Sequence, residues 1–162
     1  MYYEKYCIIK SEKMKSKGMN YRTKNIFSGI FTVMIVLLFN SCSTTIHFLN
    51  SSVVPAAQGT VKIKNDRNKN YVVQITLTDL AESQRLQPSK LTYVVWMLTD
   101  RETTKNVGQL NISRGIMSKQ LKGSFKTVSS SRPIKIFITA EDDAGIQFPG
   151  AQTVLSTDKF DL

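Results

Sequence analysis

Tyr71-Val72-Val73-Gln74-Ile75-Thr76-Leu77-Thr78 decides the fold class of this chain. Successive side chains of an extended segment point to opposite sides, so Tyr71, Val73, Ile75 and Leu77 share one face and Val72, Gln74, Thr76 and Thr78 the other. Such a segment lays its apolar side on a core and turns its polar side to water. Just upstream, Thr60–Lys64 repeats the alternation with Val61 and Ile63 on one face. The intervening Asn65-Asp66-Arg67-Asn68-Lys69-Asn70 is dense in residues that favour turns, so the two runs are expected to form a hairpin.

Downstream, Asp79–Leu91 breaks the alternation: Leu80, Leu86 and Leu91 are irregularly spaced and Pro88 stops any helix. A long connection with one helical turn is expected there. Thr92–Thr99 is apolar on both faces, Tyr93, Val95 and Met97 against Val94, Trp96 and Leu98, as suits a central strand of a packed sheet. It holds the chain's only tryptophan. Further strands are expected over Asn106–Ile112, Gly123–Val128, Pro133–Ala140, with Ile134, Ile136 and Ile138 on one face, and Thr153–Ser156. Short strands at this spacing predict an all-β chain: a single immunoglobulin-like antiparallel β-sandwich of about seven strands over 59–162, following an N-terminal signal segment.

That signal segment is read from Ile26 to Cys42. Arg22 and Lys24 precede a short apolar run, Ile26–Phe39, which closes in Asn40-Ser41-Cys42. A positive n-region, a short h-region and a small residue before the cut are the parts of a secretory signal. The run is shorter than the roughly 20 residues of a spanning helix. Cys42 stands where the h-region stops, and the motif resembles the lipobox of bacterial lipoproteins, with Phe39 and Asn40 where Leu and a small residue are usual. The resemblance implies an acylated Cys42 as first residue of the mature chain, with 19–41 as signal peptide. Met1–Gly18 has no apolar period, and Met14 and Met19 offer later starts, so 1–18 is expected as a disordered extension or a mis-assigned start. Residues 42–58, polar apart from Ile46, Phe48, Leu49 and the Val53-Val54 pair, are expected as a tether with one sticky patch.

The part from Cys42 on is long enough for one domain with its own core. Cys7 is the only other cysteine and lies before the signal, so the mature chain forms no internal disulfide. The whole chain carries a net charge of +10. From Cys42 onward, 15 Lys and Arg stand against 10 Asp and Glu, an excess of five. Those basic residues are spread over alternating strand positions and turns and are not expected to gather on one face, which predicts a solvated surface and no nucleic-acid partner.

Candidate chemistry is sparse. Asp66, Asn68 and Asn70 open a D-x-N-x-N calcium-type loop, but Tyr71 stands where glycine belongs and Leu77 where a bidentate Glu belongs, which favours a polar turn. Glu141-Asp142-Asp143 before Ala144-Gly145 is an acidic turn by the same reasoning. His47, the single histidine, falls in the tether, away from any scaffold that would hold a catalytic base. The remaining acids fall at turn positions, which disfavours a glycosidase-type carboxylate pair. Asn50-Ser51-Ser52 and Asn111-Ile112-Ser113 fit a glycosylation sequon, incidental in a bacterial lipoprotein. Trp96, with Tyr93 nearby, is either a sugar platform or core, and its apolar strand favours core. No catalytic residue, metal site or cofactor is expected, and no ligand is legible.

Tyr93-Val94-Val95-Trp96, Gly108-Gln109-Leu110, Ile136-Phe137-Ile138-Thr139-Ala140-Glu141, Pro149-Gly150 and Val154-Leu155-Ser156 together resemble the extracytoplasmic C-terminal domain of anti-sigma-K factors. Leu77–Pro88 with Tyr93–Trp96 is also similar to small uncharacterised Bacteroidota lipoproteins. The resemblance implies a sandwich and a role in envelope sensing or interaction. Met1–Lys24 is too short for the sigma-binding domain of those regulators. The expectation is therefore a lipid-anchored, non-catalytic binding or sensing module, with an assembly accessory of an outer-membrane complex as the alternative. In the Bacteroidota lipoproteins that the chain resembles, an acidic cluster after the cysteine favours surface export; none follows Cys42, so the expectation is an anchor in the outer membrane with the body facing the periplasm. Contact with an envelope partner is expected through an edge strand or through the loops Asp100–Lys105 and Glu141–Phe148.

Overall fold

The computed structural model describes residues 43–115 and 120–162, so Cys42, the signal peptide and the 1–18 extension lie outside the described residues. Among the described residues nine strands form two antiparallel sheets facing one another: β1 (Thr44–His47), β2 (Gln58–Asn65), β3 (Tyr71–Leu80), β4 (Thr92–Thr99), β5 (Thr104–Gln109), β6 (Asn111–Arg114), β7 (Leu121–Ser129), β8 (Pro133–Glu141) and β9 (Thr153–Ser156). One sheet, A, has the order β1-β2-β3-β7-β6, and the other, B, the order β5-β4-β8-β9. The 79–91 connection carries the expected single helical turn, a 3₁₀ turn over Ser83–Arg85.

β3 sets sheet A. Val73, Ile75 and Leu77 are buried while Gln74 and Thr76 are exposed, and its partners keep step, Val73 opposite Ile63 on β2 and Thr127 on β7. Leu77 and Leu80 both reach the core although three residues apart, which strict alternation forbids. A β-bulge between them resolves the conflict: Asp79 takes φ 57° and so returns Leu80 to the inner face. The Asp79 carboxylate accepts a hydrogen bond from Gln120 Nε2 at 2.8 Å. Against sheet A lie Tyr93, Val95 and Met97 of β4 and Ile136, Ile138 and Ala140 of β8, all buried in one core.

The segment 43–58 is not a tether. Thr44–His47 pairs with β2, with Thr44 opposite Ile63 and His47 opposite Thr60. Ile46 and Phe48 pack on the core, Val54 and Ala57 are buried, and Leu49 N–H donates to Ser156 O at 2.8 Å, joining sheet A's flank to β9 of sheet B. Ser51 Oγ accepts from Val53 and Val54 N–H, which ties the turn. The polar composition misleads because a few apolar side chains at the open end of a sandwich suffice to hold the segment down.

Asn106–Ile112, expected as one strand, is two strands in different sheets. Gly108 at φ 133° sits at an irregularity between Val95 and Trp96, and the chain swings so that Leu110 is buried and its N–H reaches Tyr93 O at 3.0 Å. A Cβ on Gly108 would stand 3.1 Å from the Phe125 ring. Leu110 is thus the corner through which β5 of sheet B becomes β6 of sheet A.

The central strand of sheet B, β4, is buried on both faces. Val94, Trp96 and Thr139 are fully buried yet lie opposite the main core, since Val95 and Ile138 face inward. Trp96 stacks on Phe137 at 6.2 Å between centroids, and its indole N–H donates to Thr139 Oγ1 at 2.8 Å. The 142–152 connection closes over them, because Asn106, the β5 partner of Trp96, donates from Nδ2 to the carbonyls of both Ala144 and Ile146 at 2.8 Å. Trp96 and Tyr93 are therefore packing residues on opposite faces of β4, and neither forms a sugar platform.

Substitutions at Asp79, Trp96 and Thr139 test this packing. Asp79→Val puts a β-branched residue at positive φ and is expected to cost about 1–2 kcal/mol more than Asp79→Gly in urea denaturation. Equal losses would count against the bulge. Trp96→Ala is expected to cost about 3–5 kcal/mol, and Thr139→Val about 1–3 kcal/mol by stranding the indole N–H. Wild-type Trp96 emission should be blue-shifted and insensitive to iodide; red-shifted, quenchable emission would place the ring in water.

Candidate functional site

The alternation that buries one side of sheet A arranges the other side with equal regularity. Across the sheet, Thr45, Lys62, Gln74 and Lys126 form one row on β1, β2, β3 and β7. The next row toward the β2–β3 turn holds Lys64, Val72 and Val128, and on the other side lie His47, Thr60, Thr76, Ser124 and Asn111. Lys122, opposite Ser113, extends the face to its far end. Lys62, Lys64, Lys122 and Lys126 are all exposed, and the one acid of these five strands, Asp79 at the β3 bulge opposite Lys122, has its Oδ1 engaged by Gln120 Nε2 at 2.8 Å. Among the described residues none of the four lysines makes an ion pair. Val128 is 57% exposed beside them.

The expectation that the basic residues are not gathered on one face is thereby corrected. Lysines at alternate positions of β2 and β7 share a face because both strands flank β3 in matching register. The signal was present in Lys62 and Lys64, and in Lys122 and Lys126, each pair opposite in parity to its buried neighbours Val61 and Ile63, or Gly123 and Phe125. What the sequence lacked was the pairing of β7 with β3.

At the edge of this face, Ser43, Lys62, Ile63, Lys64, Val72 and Gln74 line a shallow cavity of about 230 Å³. Ser43 follows Cys42 directly in sequence and shares this cavity with Lys62 and Lys64. Farther along, His47, Phe48, Thr60, Thr76 and Thr78 border a second depression of about 410 Å³. His47 is on a strand and exposed, not in a tether as expected.

The acidic candidates are occupied by the fold. Asp66 Oδ1 accepts from Asn68 and Asn70 N–H, each at 2.8 Å, and Oδ2 from Asn70 Nδ2 at 3.1 Å. Those bonds, the Asn70 backbone first, hold its carboxyl below the usual carboxylate range. Glu141, Asp142 and Asp143 diverge: Glu141 accepts from Gly150 N–H at 2.8 Å, Asp142 from Lys90 Nζ at 2.6 Å, and Asp143 from Gly145 N–H at 2.9 Å. Glu141 departs from the expectation that acids occupy turns, being buried at the end of β8. Among the described residues no three His, Cys, Asp or Glu side chains gather as a metal site would need.

A third depression, about 510 Å³, runs beside the edge strand β6 and is bordered by Glu82, Leu91, Ile112 and Arg114. Leu91 and Ile112 are 66% and 42% exposed, and Arg114 pairs with Glu82 across it. Comparison of the chain with known protein families, with curated proteins and with solved structures returns no match.

The Asp66 turn gives a pH test. A depressed folded pKa means that the stabilisation is present above the unfolded carboxylate pKa, about 4, and is lost as pH falls through the folded value. Asp66→Asn is expected to be less stable than wild type at neutral pH, with the gap closing on acidification below about pH 4. A gap that stays constant in denaturant titrations down to low pH would show that the carboxylate charge is not what the turn holds.

Proposed function

We propose that this chain is a lipid-anchored, non-catalytic binding module of a bacterial cell envelope, attached through Cys42 and offering the β6 edge to a protein partner. One observation carries this: β1 begins at Thr44, two residues past Cys42, so the folded body starts where an acyl anchor would end. An anchor there holds the sandwich close to the bilayer, within reach of envelope proteins. The edge suits a partner because all four residues of β6 are exposed and, among the described residues, the strand pairs only with β7. An unpaired edge offers a row of backbone donors and acceptors to an added strand, and Leu91 and Ile112 offer apolar contact beside it.

The strand order β2-β3-β7-β6 against β5-β4-β8-β9 supports the immunoglobulin-like assignment, with its A-B-E-D and C-F-G sheets. The resemblance to anti-sigma-K extracytoplasmic domains adds envelope sensing to the proposal. An assembly accessory of an outer-membrane complex is the second possibility, favoured by a separate apolar contact at Phe148, 80% exposed on the 142–152 connection.

Photocrosslinking in cells tests the role. Ile112 replaced by p-benzoylphenylalanine is expected to give one discrete adduct, and the same replacement at Lys159 none. Cys42→Ala should abolish both the acyl mass on the mature chain and that adduct. Absence of an adduct at position 112, or an adduct indifferent to Cys42→Ala, would contradict the proposal.

A further inference from the structure

We infer that the outer face of sheet A, at the end where the chain enters the domain, is a docking surface for an anionic lipid bilayer. This goes beyond anchoring, which by itself leaves the orientation of the body open, and it rests on the proposed anchor only for the direction from which the bilayer approaches.

Charge complementarity is the first ground. Lys62, Lys64 and Lys126 stand in adjacent rows on β2 and β7, with two strand spacings, about 10 Å, between Lys62 and Lys126. Arg67 and Lys69, both exposed, continue the positive charge onto the β2–β3 turn. The only acid of that turn, Asp66, has both carboxylate oxygens engaged by Asn68 and Asn70. A surface of one sign attracts the opposite sign, and lysines near an anionic leaflet contribute additively.

Position is the second ground. Ser43 borders the cavity between Lys62 and Lys64. Ile26–Phe39, the most apolar stretch of the chain, ends three residues before Cys42. An anchor at Cys42, as proposed, brings the bilayer to this end of the domain. The surface is also suited to lipid in having Val128 and Val72 among the lysines, so that apolar contact with the interface accompanies ion pairing with phosphate. Lysine ammonium groups on stems of four carbons reach headgroup phosphates as point charges without needing a fixed geometry. Duplex nucleic acid would instead call for a convex or grooved basic element with donors aimed at base edges, and the face is a sheet with a row of Thr, Ser and Gln side chains beside the lysines.

The full-length protein, purified from membranes and reconstituted, is treated with a water-soluble acetylating reagent and the rate at each lysine is read by peptide mass spectrometry. On vesicles of phosphatidylglycerol with phosphatidylcholine, Lys62, Lys64 and Lys126 are expected to react severalfold more slowly than on phosphatidylcholine alone. High salt should erase the difference, while Lys105 and Lys159 react alike throughout. Equal rates at Lys62, Lys64 and Lys126 on both vesicles overturn the inference, as does protection that persists on neutral lipid in high salt. Protection by added duplex DNA with none by anionic vesicles would reassign the face to nucleic acid. The mass of the Cys42 peptide in the same sample separates the two proposals: protection without an acyl adduct removes the anchor and leaves the docking face, and an adduct without protection does the reverse.

Discussion

The two-residue period of sheet A is the constraint on which the rest depends. Once β3 places Val73, Ile75 and Leu77 against sheet B, antiparallel register compels β2 and β7 to do likewise, and every residue of opposite parity must face outward. Core and surface are two sides of one decision. A slip of one residue in β2 would bury Lys62 and Lys64 and expose Val61 and Ile63, at a cost far beyond what any surface contact returns. The bulge at Asp79 is the one local departure, and it preserves the outcome by returning Leu80 to the core.

Sheet B solves a different problem. Its central strand β4 is apolar on both sides and stacks Trp96 on Phe137 of β8 away from the core, so the outer side needs a cover, and the 142–152 connection supplies it. That cover is fastened by polar bonds in place of a second sheet: Asn106 to two carbonyls, Glu141 to Gly150 N–H, and Lys90 to Asp142. Carboxylates that resemble a cation site in the sequence are thus the fastenings of a lid. The division of labour follows: the central strands of sheet B are covered on both sides, while the outer face of sheet A and the edge strands, β6 among them, are open to other molecules.

Much of this architecture is legible in the sequence. The β2–β3 hairpin, the doubly buried β4, the single helical turn after Asp79 and the span of β9 all follow from local patterns of side-chain parity and turn residues. What was not legible depends on contacts distant in sequence. Gly108 reads as an ordinary strand residue until Leu110 is seen to turn the corner between sheets. Thr44–His47 looks like spacer because its partner, β2, lies more than ten residues away. The lysine face was hidden for the same reason, since Lys62 and Lys126 become neighbours only through β3. Trp96 packs, as its apolar strand predicts, but on the side of the strand away from the main core, because composition alone does not reveal that a loop covers that side.

The register that makes the lysines neighbours is most directly tested by a short amine-reactive cross-linker followed by peptide mass spectrometry on the native protein. Lys62 and Lys126, 64 residues apart in sequence and flanking Gln74 in one row, are expected to be joined within one chain. Failure to join them, with Lys62 linked instead to Lys105 or Lys135 of the other sheet, would contradict the arrangement of sheet A and the face built on it.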